Sequence, residues 1–118
     1  MFMKKIEIVN TMKNIKYWFK QIIQKITKGY TDKETCNLNH HLCKFILPRL
    51  KAFRDTYTYP PCFMTYEEWK EKIDKMIVAF ELIIDDNMPE LVSEQLKRQQ
   101  KITEGLQLFA RYFQHLWC

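Results

Sequence analysis

Residues 65–84 read TYEEWKEKIDKMIVAFELII, and they contain the clearest periodicity in the chain. Apolar side chains recur three or four positions apart, which places them along one stripe of an α-helix. Thr65 and Glu68 fit a capping box, in which a hydroxyl and a carboxylate each pair with a free backbone N–H of the first turn. We therefore predict a helix that starts at Thr65 and ends before Asp85. The stripe consists of Trp69, Ile73, Met76, Ile77, Phe80, Ile83 and Ile84.

Three further segments show the same helical period. The first predicted helix spans residues 11–28 and ends at Gly29, a residue type that tolerates the left-handed C-cap conformation. The second spans residues 37–54 and contains Pro48, whose ring removes a backbone donor, so we expect a kink there. The last has Pro89 in its first turn, where the missing N–H costs nothing. Their stripes are Ile15, Trp18, Phe19, Ile22, Ile23 and Ile26; then Leu38, Leu42, Phe45, Ile46, Leu50 and Phe53; then Val92, Leu96, Gln99, Thr103, Leu106, Phe109, Phe113 and Leu116.

Length and composition favour a single helical domain. The chain has 118 residues, of which 47% are hydrophobic and 28% charged, as in ordinary globular proteins. No segment alternates as a strand does, and no apolar run reaches the roughly 18 residues that a membrane-spanning helix needs. We predict an all-α fold over residues 1–118, a compact bundle of four helices, the second kinked at Pro48. Residues 1–10 are expected to form a flexible arm, and surplus apolar surface is expected to make the protein oligomeric.

The positive charge is concentrated at the start of the chain. Residues 1–30 hold seven lysines and one acid, so they carry +6, whereas residues 31–118 carry −1. This basic first helix has three interpretations. It lies on an anionic membrane, it follows the phosphates of a nucleic acid, or its apolar face closes the bundle while its lysines stay solvated.

Several short motifs occur together: YWF at 17–19, ILPRLK at 46–51, EW at 68–69, KMIVAF at 75–80, EGLQLFARYF at 104–113 and LW at 116–117. In this combination the chain resembles a family of small helical proteins encoded by tailed bacteriophages. The resemblance covers roughly residues 15–117. It implies a viral protein located in the host bacterial cytoplasm, and it transfers no activity and no functional residues. The His40-His41 pair departs from the family pattern.

The sequence lacks the motifs of common catalytic sites. It contains no Walker loop, no G-x-G-x-x-G and no G-x-S-x-G, and its two glycines are too few for the phosphate-binding loops. A run of carboxylates at residues 67–74 lies in the first turns of a predicted helix, where the helix dipole stabilises negative charge. We therefore assign no catalytic residue and no cofactor, and we expect a protein that is not an enzyme.

The four cysteines are interpreted as reduced and mostly buried thiols, because a free cysteine packs as a small apolar residue. An alternative concerns Cys36, His40 and Cys43, whose spacing would place them on one face of a helix. Thiolate and imidazole suit zinc, and Cys62 or Cys118 could supply a fourth ligand. Since these residues straddle a predicted helix start and lack a second ligand pair, no metal site is assigned, and the alternative stays open.

Basic and aromatic residues meet near the end of the second predicted helix. Guanidinium groups bind phosphate through paired hydrogen bonds, and aromatic rings stack on bases. We predict that these residues bind an anionic ligand of nucleotide size. In the alternative interpretation the cations pair with Asp55, Glu67 or Glu71 and the rings fill the core. The candidate ligand-binding residues are Arg49, Lys51, Arg54, Tyr57, Tyr59 and Trp69.

Three functional hypotheses follow. The first is a non-enzymatic phage binding protein, an oligomeric sponge that sequesters an anionic nucleotide immune signal of the host. The second is a protein–protein interaction module that inhibits or adapts a host or virion protein through an exposed apolar face. The third is nucleic-acid binding through the basic first helix.

Overall fold

Helices make up the secondary structure of this chain. The computed structural model describes residues 2–56 and 59–118. It contains five α-helices, α1 (Phe2–Lys28), α2 (Asp32–Thr35), α3 (Leu38–Thr56), α4 (Tyr66–Ile84) and α5 (Val92–Tyr112), followed by a 3-10 helix at Phe113–His115. The described residues form no strand, so the all-α class predicted from the sequence is confirmed. The four predicted helices correspond to the four long ones, and the short α2 is additional.

The chain divides into two compact units, Met1–Leu38 and Asn39–Cys118. The first unit contains α1 and α2. The second contains α4, α5, the 3-10 helix and all of α3 except its first residue. Among the described residues, none of these helices is long and apolar enough to cross a membrane.

In the first unit, α1 begins at Phe2, upstream of the predicted start at residue 11. Its end is as predicted, because Gly29 has a φ of +84° and its N–H donates to the Lys25 carbonyl at 3.1 Å. Glycine adopts this left-handed conformation without steric cost. The short α2 is fastened to α1 by a pair of hydrogen bonds between Gln24 and Asp32.

The core of the second unit is built on α4. The Thr65 hydroxyl accepts a hydrogen bond from the Glu68 N–H at 3.2 Å, which confirms the predicted capping box. The predicted stripe of α4 supplies most of the buried apolar side chains, and Trp69, Ile73 and Met76 have almost no solvent exposure. Burial of such side chains is the main favourable contribution to folding.

The start of α5 differs from the sequence-based expectation. The helix begins at Val92, with Leu91 as its N-cap in an extended conformation, so the prediction that Pro89 occupies the first turn is wrong. Proline is compatible with a first turn but does not require one. Here the Pro89 carbonyl lies before the helix and accepts a hydrogen bond from the Gln95 side chain at 2.7 Å.

Pro48 lies inside α3, which continues on both sides of it. The kink expected there stays a prediction. Only Cys43 and Leu50 of this helix are buried, and Ile46 and Phe53 pack against the core as partly buried residues. The predicted core stripe of α3 is therefore half exposed, since Leu38, Leu42 and Phe45 face solvent.

Candidate functional site

Two basic residues of the predicted nucleotide site, Lys51 and Arg54, form ion pairs with different acidic residues. The Lys51 ammonium lies 3.0 Å from Glu81. The Arg54 guanidinium contacts Asp55 at 3.0 Å and Asp74 at 2.9 Å. The hydrogen bond from Arg54 lowers the pKa of the Asp55 carboxyl and raises the pKa of Arg54 itself. The alternative interpretation expected these cations to pair with acidic residues. Asp55 is one of the acids it named, whereas Glu81 and Asp74 are acids it did not name.

The aromatic residues of that site lie in different surroundings. Trp69 is 1% exposed and packs edge-to-face on Tyr112 in the core, with ring centroids 5.8 Å apart. Tyr59 is 80% exposed. Tyr57 lies outside the described residues. Among the described members, no aromatic ring therefore stacks beside Lys51 or Arg54 to form a surface for a base.

Arg49 has a different environment. Its guanidinium carbon lies 3.8 Å from the centroid of the Phe45 ring, and its Nη1 donates to the Phe45 carbonyl at 2.8 Å. The carbonyl that lacks its helical donor because of Pro48 is the neighbouring one, that of Lys44, four residues before the proline. Among the described residues, no carboxylate forms an ion pair with Arg49.

The second unit contains an apolar cleft with a volume of about 660 Å³. This value lies in the range of ligand-binding sites, about 300–1,000 Å³. We call it the apolar cleft. It is lined by Asn39, Leu42, Cys43, Phe45, Ile46, Phe80, Ile83, Gln99, Ile102, Leu106, Phe109 and Phe113.

The cleft has a simple helical geometry. Its α3 residues are spaced three and four apart along one face, and its α5 residues do the same and continue into the 3-10 helix. Phe80 and Ile83 of α4 also line it; Phe80 is buried and packs edge-to-face on Phe109 at 5.1 Å. α3, α4 and α5 therefore all contribute residues to the lining of the cleft, and α3 and α5 contribute most of them.

The lining is almost wholly apolar and contains no charged residue. Its polar groups are the amides of Asn39 and Gln99 and the thiol of Cys43. Burial raises the pKa of the Cys43 thiol, which keeps it protonated and unreactive. Leu42, Phe45 and Phe113 are each more than half exposed, so the cleft presents a large apolar surface to solvent. Such a surface suits apolar contact with a ligand or partner.

The residues of the zinc alternative do not form a metal site. Within the described part of the chain, no group of three or more His, Cys, Asp or Glu side chains is placed to hold a metal ion. His40 instead lies near the end of α4, with its Nε2 atom 3.2 Å from the Ile84 carbonyl. All four cysteines are unpaired, but only Cys43 is buried, so the prediction of mostly buried thiols is wrong for the other three.

Sequence reasoning found most of the lining residues but assigned them to the core. Leu42, Phe45, Leu106, Phe109 and Phe113 all belong to predicted stripes, because amphipathic periodicity identifies an apolar face without identifying what covers it. Ile102 was missed, although it lies between Gln99 and Leu106 at helical spacing. The excess of apolar positions over what three helices can bury among themselves was recognised from the sequence, but its location between α3 and α5 was not.

Comparisons with protein-family models, curated proteins and solved structures find no match to this chain.

Proposed function

We propose that this chain is a non-enzymatic binding protein whose apolar cleft receives an amphipathic helix of a partner protein. This is the interaction module of the second hypothesis. The observation that supports it most is the open position between α3 and α5, lined by exposed leucine and phenylalanine side chains. The resemblance to a tailed-phage family suggests a host or virion protein as the source of that helix.

The shape of the cleft favours a helix over a compact small molecule. Helix-in-groove recognition places apolar residues at helical spacing into a groove formed by other helices. The cleft offers two helical sides with matching periodicity and a base formed by α4. An incoming helix would complete the bundle and remove Leu42, Phe45 and Phe113 from water. Each such side chain contributes about 1.5–3 kcal/mol when it is fully buried.

The positive charge of Arg49 indicates which charged residue the partner helix should carry. Arg49 stacks on Phe45, which lines the cleft, and it has no carboxylate partner among the described residues. A carboxylate beside the apolar stripe of the incoming helix would pair with this guanidinium as the surrounding water is displaced. We therefore propose an amphipathic helix with an acidic residue flanking its apolar stripe.

The nucleotide sponge stays a prediction, and the geometry supports it less. An anionic nucleotide needs several donors to its phosphates, and the cleft lining supplies no cation. Lys51 and Arg54 are already paired with acids. A nucleotide would have to break those pairs or bind at Arg49 alone.

Photo-crosslinking in bacterial host cells tests the proposal. The photoreactive residue p-benzoylphenylalanine replaces Phe113 in the cleft or, as a control, Phe63 outside it; their exposures of 59% and 63% are closely matched. We expect position 113 to crosslink to one partner through a peptide that is amphipathic and helical. Mass spectrometry of the crosslinked peptide identifies the segment.

A second pair of variants distinguishes specific binding in the cleft from non-specific apolar association. Leu42→Glu places a charge in the cleft, and Leu96→Glu places the same charge on α5 outside it, at residues 57% and 60% exposed. We expect the crosslink at position 113 to disappear in Leu42→Glu and to persist in Leu96→Glu. Equal crosslinking in both variants, or equal yields from positions 113 and 63, would contradict the proposal. Calorimetry with a panel of cyclic and ADP-ribose-type nucleotides tests the sponge separately.

The proposal includes self-association of the chain, which the excess of apolar surface predicts. The exposed apolar face of α1 supports it.

A further inference from the structure

Six apolar residues of α1 alternate strictly at spacings of four and three positions. They are Ile8, Met12, Ile15, Phe19, Ile22 and Ile26. The average spacing of 3.5 residues is the period of a left-handed coiled coil, in which such residues occupy the a and d positions of a heptad. We call these six residues the heptad seam. Met12, Phe19 and Ile26 take the a positions, and isoleucine takes all three d positions.

The other heptad positions agree with this register. From residue 8 to the end of α1, the outer positions b, c and f hold lysine, asparagine, glutamine and threonine, with Tyr17 as the one aromatic residue. Lys13 and Lys20 both fall at b, directed away from a coiled-coil axis, so their charges stay in water. Lys16 falls at e, and in a parallel assembly it faces Thr11 at g of the neighbouring helix rather than another lysine.

The seam is uncovered in the structure. Five of its six side chains are between 48% and 78% exposed, and Ile22 is partly buried. α1 is a helix of 27 residues, and among the described residues of its unit the other complete helix is the four-residue α2. A row of exposed apolar side chains of this length is costly in water and marks an interaction surface.

We infer that α1 assembles with the α1 helices of further copies of this chain through the heptad seam, as a coiled coil of three or four helices. The number follows from the side chains. Isoleucine at d together with isoleucine or leucine at a shifts preference from two strands to three or four, and Ile22 with Ile26 provides this combination in the last heptad. Val9, Trp18 and Ile23 at the e and g positions widen the apolar face, which also suits more than two helices.

A second copy explains the pattern better than the other surfaces considered for this helix. A membrane-surface helix needs an apolar face and basic residues, but not a 3.5-residue spacing sustained over almost three heptads. A helix that follows nucleic-acid phosphates needs the lysines but leaves the isoleucines exposed. Of these three, a membrane, a nucleic acid and a second copy, only the second copy uses both the spacing and the choice of isoleucine at d.

The test is the mass of the full-length protein by sedimentation equilibrium and native mass spectrometry. We compare wild type, the seam variant Ile8→Lys/Ile15→Lys and the control Asn10→Lys/Tyr17→Lys. The control adds the same charge with the same spacing two positions further on, at outer f positions. Circular dichroism verifies that both variants keep their helix content.

We expect wild type and control to have three or four times the 14.5 kDa chain mass, and the seam variant to have the mass of one chain. A monomeric wild type would overturn the inference, and so would a seam variant that keeps the wild-type mass. A dimer would contradict the assigned number of helices. Sedimentation with phosphatidylserine vesicles and with duplex DNA completes the test, because a monomer that sediments with either one assigns the seam or its lysines to that partner. Assembly through the heptad seam deepens the self-association that is part of the proposed function and rests on it, whereas these outcomes do not depend on the apolar cleft.

Discussion

Gly105 on α5 lies directly against Ala79 on α4. A methyl group built at position 105 would overlap the Ala79 Cβ and would lie 2.6 Å from the Lys75 carbonyl oxygen. Both residues are buried, and the two helix backbones therefore approach at this point as closely as a residue without a side chain permits. This contact holds α5 at the depth at which its Leu106 and Phe109 side chains line the apolar cleft.

Gly105→Ala is predicted to destabilise the protein. Alanine has the higher helix propensity by about 1 kcal/mol, so the sequence alone suggests a gain. Overpacking a tight contact typically costs about 1–3 kcal/mol, and the neighbours here include backbone that cannot move aside. We expect a lower free energy of unfolding in urea. The control Gln107→Ala changes an exposed position of the same helix, and an equal or higher stability for Gly105→Ala would contradict the close packing.

Arg98 is predicted to stabilise the end of α4. Its Nη2 atom donates to the carbonyls of Leu82 and Asp85, which lie in the last turn and at the C-cap of that helix. These carbonyls have no partner within the helix, and the positive charge also suits the negative end of the helix dipole. Arg98→Met should lower the free energy of unfolding by about 1–3 kcal/mol. Lys97→Met is the neighbouring control, and equal stabilities of the two variants would refute this role.

The Arg54–Asp55 contact predicts a lowered pKa for the Asp55 carboxyl in the folded protein. Because Arg54 lowers the folded-state pKa of Asp55, the stabilising contribution is complete above the unfolded carboxyl pKa of about 3.9 and is lost as pH falls through the lower folded-state pKa. NMR titration of the Asp55 carboxyl carbon should give a midpoint below about 3.9. In Arg54→Gln the midpoint should rise toward that value, and an unchanged midpoint would show that the contact does not exist in solution.

The cysteines predict a difference in reactivity. Cys36, Cys62 and Cys118 are exposed, whereas Cys43 is buried and its thiol pKa is raised. The thiolate is the reactive form, so Cys43 should react slowly. With a thiol reagent such as Ellman's, we expect three equivalents to react rapidly in the native protein and the fourth only after unfolding in guanidinium. Four equivalents reacting at one rate would contradict the packing of α3.

The helices could be predicted because their ends depend on interactions between residues close together in the sequence. The capping box at Thr65 and Glu68 and the left-handed Gly29 depend on residues a few positions apart, and both are present as expected. The start of α5 was missed because Pro89 is equally acceptable before a helix and in its first turn. Such a choice depends on the loop around it, here including the hydrogen bond from Gln95.

The candidate site was less predictable because it depends on contacts between distant segments. Arg54 pairs with Asp74, twenty residues away, and the sequence cluster gave no sign of that partner. Trp69 and Arg54 were predicted to bind the same ligand, yet Trp69 is buried in the core, whereas Arg54 is partly exposed and paired with Asp74. The stripes of α3 and α5 were recognised as apolar, but periodicity does not reveal that part of each stripe is left open as a cleft.

The most direct test is the affinity of the full-length protein for a synthetic peptide with the sequence of the segment crosslinked at position 113. Isothermal titration calorimetry compares wild type, Leu42→Glu and Leu96→Glu. We expect Leu42→Glu to bind at least about tenfold more weakly than wild type, a loss of about 1.4 kcal/mol, and Leu96→Glu to bind as wild type does. Equal affinities for all three proteins would mean that the cleft is not the binding surface.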